Sequence, residues 1–192
     1  MAAATPPKKR RSPITRAEGE RRLIEAAAQL TRDRPISEVG VREIATLADV
    51  NAGFVHTWFG SKNDLLVAVL REQISQFAQI AMQSTPGTPA INFSNPQIVS
   101  TIRLLLWLNL EGVELHQLFH NQILLDTLTA RYVDIENINT EIARATAIIG
   151  IAVGLAAGTF APMLDMDSPD TVQPVMDLWR HILSLLAQHP PQ

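Results

Sequence analysis

The side chains that could do chemistry in this sequence are few in kind. Cysteine is absent, which removes thiolate nucleophiles, disulfide frameworks and cysteine-ligated zinc. No glycine-rich phosphate loop and no Gly-x-Ser-x-Gly elbow occurs, and the histidines and acids fall on helical stretches without a shared motif. An enzyme is therefore not expected, nor a resident cofactor or metal. His116 and His120 stand one helical turn apart, but two imidazoles without a third ligand do not make a metal site. What remains is ionic chemistry. Lys8, Lys9, Arg10 and Arg11 form a compact basic run, and Arg42 and Lys62 each open a helical stretch. Cationic side chains at helix N-termini, where free N–H groups already favour an anion, suit phosphate.

The charge is unevenly placed. Of the 192 residues, 1–72 carry 12 Lys/Arg against 9 Asp/Glu, and 73–192 carry 4 against 10, for a net charge of -3. A basic end on an acidic body is the asymmetry of a protein that turns one end toward nucleic-acid phosphate. The length allows a small head of about 50 residues and a larger second domain, each able to build a core. The N-terminus lacks the apolar segment of a secretory signal, so a cytoplasmic location is expected.

The elements that must position the cations centre on residues 41–62. Val41, Ile44, Ala45 and Ala48 fall at i, i+3, i+4 and i+7, one apolar face of a helix. The polar break Asp49-Val50-Asn51 ends it, and Asn51 can cap the next turn with its side chain. In the segment 52–59, Val55 and Phe59 face one way, leaving Phe54, His56, Thr57 and Trp58 on the other faces. Two short helices joined in this manner predict a helix-turn-helix, whose second helix lies in the DNA major groove. Ahead of it, Thr15 and Glu18 predict a capping box for a first helix to about Asp33, with Leu23, Ala27 and Leu30 inward. Behind it, Ser61 and Asp64 cap a long fourth helix to about Met82, which links head and body.

These residues resemble the DNA-binding domain of the TetR-type (tetracycline-repressor-like) bacterial regulators. The matching positions are Val41, Ile44, Ala45, Ala48, Val50, Gly53, Val55, Phe59, Ser61, Lys62 and Leu65. Asp49 stands in place of a turn glycine, Asn51 of a serine and His56 of a tyrosine that in the family touches phosphate. The resemblance implies an all-α fold with an N-terminal three-helix DNA-binding domain and a C-terminal helical domain for ligand binding and dimerisation. The boundaries read as a basic arm at 1–14, the helix-turn-helix domain at 15–62 and the effector and dimerisation domain at 63–192.

Base readout would then fall to Ala52, Gly53, Phe54, Thr57 and His56, with the capping Asn51 beside them among the DNA-binding residues. Ala52 and Gly53 admit a close backbone, and Phe54 and Thr57 can touch thymine methyl groups. Without a long polar reader at mid-helix, much of the specificity would be apolar or read from DNA shape. Arg42 and Lys62 would hold phosphate. Trp58 either donates its N–H to a phosphate or packs against the first or fourth helix. Lys8 to Arg11 read as a DNA-tracking arm or as a solvated tail.

In the body, Asn95-Pro96 and Ser168-Pro169 are each a cap followed by a proline at the first helical position. Residues 145–164 hold no charge, and their length fits a membrane span. Their many small residues, Pro162 and the absence of flanking aromatic or basic anchors favour a buried helix instead, so no membrane partner is expected. Gly150, Gly154 and Gly158 form a small-residue stripe. With Val175, Trp179, Ile182 and Leu186 of the last helix, it is expected in a homodimer interface, an internal core being the alternative. Phe77, Trp107, His116, Phe119, His120 and Tyr132 are the candidate walls of a small-molecule pocket, with core packing as the competing role. The partners implied are an operator in double-stranded DNA, a second copy of the chain and a small hydrophobic effector. A DNA-binding regulator without an effector and a membrane-attached one are the alternatives.

Overall fold

The computed structural model describes residues 14–83, 95–115, 123–160, 163–165 and 168–188. Among them are eight α-helices and one 3₁₀ turn at Ile36–Glu38, with no strand. The helices are α1 (Arg16–Asp33), α2 (Val41–Leu47), α3 (Gly53–Trp58), α4 (Lys62–Gln83), α5 (Pro96–Leu110), α6 (Ile123–Asp134), α7 (Thr140–Phe160) and α8 (Pro169–Gln188). Several start where their caps place them. Glu18 N donates to Thr15 Oγ1, Asp64 N to Ser61 Oγ and Gln97 N to Asn95 Oδ1, at 3.3, 3.1 and 2.9 Å. Each bond satisfies an N–H that the helix itself leaves open.

Two cores follow. The first joins Leu23, Ala26 and Ala27 of α1, Ile44 and Ala45 of α2, Val55 of α3 and Leu65 to Leu70 of α4, and it is closed by Leu104, Leu108 and Leu115. The second gathers Ala81, Leu128, Tyr132, Ile138, Ala143, Ala147 and Leu183. Helix α4 belongs to both. Thr31, buried in α1, returns its hydroxyl to Ala27 O at 2.8 Å, so its burial leaves no orphan donor. Near the far end of α4, the fully buried Arg131 donates from Nε to Ala81 O at 2.9 Å, and its Nη1 lies 3.1 Å from Glu136 Oε1. The guanidinium thus satisfies a carbonyl near the helix end, and its charge is paired inside the core.

The glycine stripe faces helices of its own chain. Helix α7 begins at Thr140, and Gly150, Gly154 and Gly158 are buried within the subunit. A Cβ on Gly158 would stand 2.3 Å from Ile102 Cδ1 of α5, and one on Gly150 would meet Trp179 and Tyr132, each at 3.6 Å. The small residues admit close helix neighbours from the same chain. Left outside on α7 are Ile148, Ile149 and Val153, and on α8 Val175, Leu178, Ile182 and Leu185. Trp179 and Leu186 pack against the second core. Among the described residues, α7 is the one helix long and apolar enough to cross a membrane, yet it packs against α5 and α6.

Candidate nucleic-acid interface

The α2–α3 turn is built from backbone geometry that its residue types permit. Asp49 adopts φ 54°, a left-handed conformation that a short polar side chain tolerates better than most. Val50 N donates to Ala45 O at 3.0 Å, and Gly53 N to Asn51 Oδ1 at 2.8 Å, so Asn51 caps α3 as its sequence position suggests. At the other end Gly60, at φ 99°, donates its N–H to Val55 O and His56 O, a glycine C-terminal cap. Val55 is fully buried against the head core, while Phe54, His56 and Thr57 remain exposed.

The exposed side of α3 is dominated by rings. Phe54 and Trp58 are one helical turn apart and stack with centroids 4.3 Å apart and an interplanar angle of 9°. The far edge of Trp58 rests on Gly19 of α1, where an added Cβ would lie 2.5 Å from Cη2 and Cζ3. The Trp58 ring thus packs against the first helix. Thr57 Oγ1 donates to Gly53 O at 3.1 Å, and His56 Nδ1 is 3.2 Å from Gly60 O. Arg42 lies exposed in the first turn of α2. Lys8, Lys9, Arg10 and Arg11 lie outside the described residues.

Lys62, expected to grip phosphate, is engaged within the chain. Its Nζ donates to Ile36 O at 3.1 Å and sits 5.3 Å from the centre of the Trp107 ring. Partial burial pushes its pKa down, with the Glu111 carboxylate acting in the opposite sense. The ammonium therefore ties three parts of the chain together: the 3₁₀ turn, the start of α4 and α5. No residue pattern signals this tie, because the acceptor is a backbone carbonyl 26 residues away.

The body holds a cavity of about 100 Å³ with an almost wholly apolar wall. Leu70, Ile74 and Phe77 of α4, Ile98 and Leu105 of α5, and Gly154 and Leu155 of α7 line it. Of the expected pocket walls, Phe77 lines this cavity. Trp107 instead carries Lys62, and Tyr132 is buried in the second core, its phenol pKa raised by burial and its oxygen bonded to Trp179. His116, Phe119 and His120 lie outside the described residues. The aliphatic wall was missed because branched aliphatic residues carry the same signal in a core and in a pocket.

Residues 23–69 match the family described as "Bacterial regulatory proteins, tetR family". No curated protein matches the sequence. Three solved structures share the fold at low identity. The TetR family repressor AlkX from Dietzia sp. strain DQ12-45-1b is 17% identical, with a TM-score of 0.54 over 88% of this chain and 97% of that one. The multidrug binding protein EbrR, solved with imidazole, is 21% identical, with a TM-score of 0.58 over 90% and 97%. The fatty acid degradation regulator FadR from Bacillus halodurans is 14% identical, with a TM-score of 0.50 over 96% and 100%. The matched segment spans the helix-turn-helix geometry described above, so residues 23–69 resemble the DNA-binding segment of the tetR family of bacterial regulatory proteins, and the chain as a whole shares the all-α fold of these solved structures.

Proposed function

We propose that the chain is a homodimeric, cytoplasmic transcriptional repressor that binds a near-palindromic operator through α3 and is released by a small hydrophobic effector. Residues 15–62 act as the DNA-binding head and 63–192 as the effector and dimerisation body, with 1–14 as a basic arm along phosphate. The observation that carries the reading is the shared helix α4. Its first turns pack into the head core, and Leu70, Ile74 and Phe77 of the same helix wall the apolar cavity. A ligand that changes the cavity thus acts on the element that supports α3. It shifts the head only as far as its affinities for the two arrangements differ.

Dimerisation is supported by the outward apolar residues of α7 and α8. Ile148, Ile149, Leu178 and Leu185 are 51, 54, 60 and 45% exposed, an unusual cost for a monomer in water. Val175 and Ile182 share that face, which a second copy would cover. The two recognition helices would then be spaced roughly 34–36 Å apart, one turn of DNA. Arg42 and the arm would meet phosphate, which positions the protein without reading sequence.

The test is an anisotropy titration at fixed salt. One labelled duplex carries the DNA upstream of the coding region, and the other a scrambled version. Tighter binding to the first, saturating at two or four protomers, is expected, as is release by an apolar molecule that fits the cavity. Equal binding to both duplexes and to a pool of genomic fragments would overturn the repressor reading.

A further inference from the structure

Part of the hydrogen-bonding capacity of the reading face of α3 is turned back on its own backbone, leaving chiefly His56 Nε2 and the Asn51 amide N–H groups to face outward. The Thr57 hydroxyl proton is directed to Gly53 O, Asn51 Oδ1 accepts from Gly53 N and His56 Nδ1 meets Gly60 O. The helix sequence, Gly-Phe-Val-His-Thr-Trp, contains no Arg, Lys, Asn, Gln, Asp or Glu. Its exposed side chains are His56, Thr57 and the Phe54 ring, which is 37% exposed and the one large apolar group among them. That ring is held in place. It stacks on Trp58, and Trp58 in turn rests on the bare backbone of Gly19. An apolar surface fixed in this manner has one apolar counterpart among the base edges of the major groove, the C5-methyl group of thymine.

We propose that the chain reads its operator chiefly through thymine methyl groups, with Phe54 as the specificity-determining side chain and Trp58 as the residue that positions it. The inference rests on α3 being the DNA-reading helix and deepens that reading by naming the chemical group recognised.

The experiment selects an operator for the full chain from a random duplex pool, then replaces each thymine in turn with deoxyuridine. This substitution removes only the methyl group and leaves base pairing intact. At one or two positions in each half-site, deoxyuridine should weaken binding about fourfold, the equivalent of one buried methyl-sized group. Phe54→Ala should bind thymine and deoxyuridine duplexes alike, and Trp58→Ala should bring the ratio toward one. The deoxyuridine series on the unaltered protein keeps the test valid if either variant folds poorly. Sequence-specific binding that is indifferent to every deoxyuridine would overturn methyl readout and leave the regulator standing. So would Phe54→Ala retaining the original ratio. A pool that enriches no sequence would overturn both.

Discussion

Gly19 has no side chain, and the Trp58 ring occupies the space one would take. Replacement by alanine brings Cβ within 2.5 Å of that ring, so the ring must move, and the Phe54 stack with it. Alanine also favours the helix by about 1 kcal/mol over glycine, which offsets part of the crowding. Gly19→Ala should therefore keep the unfolding free energy within about 1 kcal/mol of the original while shifting the Trp58 indole resonance and lowering the preference for operator over scrambled DNA. An unchanged preference would show that the stack does not position the reading face. The residues of α3 themselves were legible in the sequence. Their order gave the helix, and the turn asked for a residue tolerant of positive φ, which Asp49 supplies. The stack on Gly19 was not legible, since nothing in the α1 pattern distinguishes a glycine under a ring from one in open solvent.

Helix boundaries followed from local chemistry where a cap writes them, as at Thr15, Ser61 and Asn95-Pro96, and at Pro169 where a proline opens the helix. Helix α7 starts earlier than its uncharged run, at Thr140, where Glu141 lies in the first turn and Asn139 Oδ1 caps the helix by accepting from Glu141 N. What could not be read locally is which face of an element meets which neighbour. Lys62 and the glycine stripe are both of this kind. Lys62→Met keeps the aliphatic stem over Trp107 and loses the bond to Ile36 O, so it should cost about 1 kcal/mol in denaturant unfolding. It should leave the slope of log affinity against log salt unchanged. A slope reduced by about one would return Lys62 to phosphate. Gly158→Ala places a methyl group 2.3 Å from Ile102 Cδ1 and about as close to Ile102 Cβ as its 3.2 Å separation allows. It should destabilise the body by about 1–3 kcal/mol, read as a lower denaturant midpoint. A midpoint unmoved would mean that α5 and α7 slide apart freely.

For the assembled molecule, the apolar stripe on α7 and α8 is the feature a single chain leaves unsolved. Leu178 is 60% exposed, so a charge placed there disturbs the isolated subunit little and a close-packed subunit contact severely. Leu178→Glu should move the mass seen by light scattering from twice 21.1 kDa to 21.1 kDa, keep the helical content and abolish saturation on a two-half-site duplex. A variant still eluting as a dimer would place the contact elsewhere. The head and body also share one closed core, in which Leu104 and Leu108 of α5 and Leu115 cover α1 and α4, and Lys62 lies against Trp107. This has a consequence for anyone who wishes to transplant the head. A hybrid regulator spliced within the first turn of α4 would leave Trp107 without its cation and the leucines of α5 against a foreign surface. The interchangeable cassette therefore extends past the helix-turn-helix, and a donor head has to bring its own version of α5 with it.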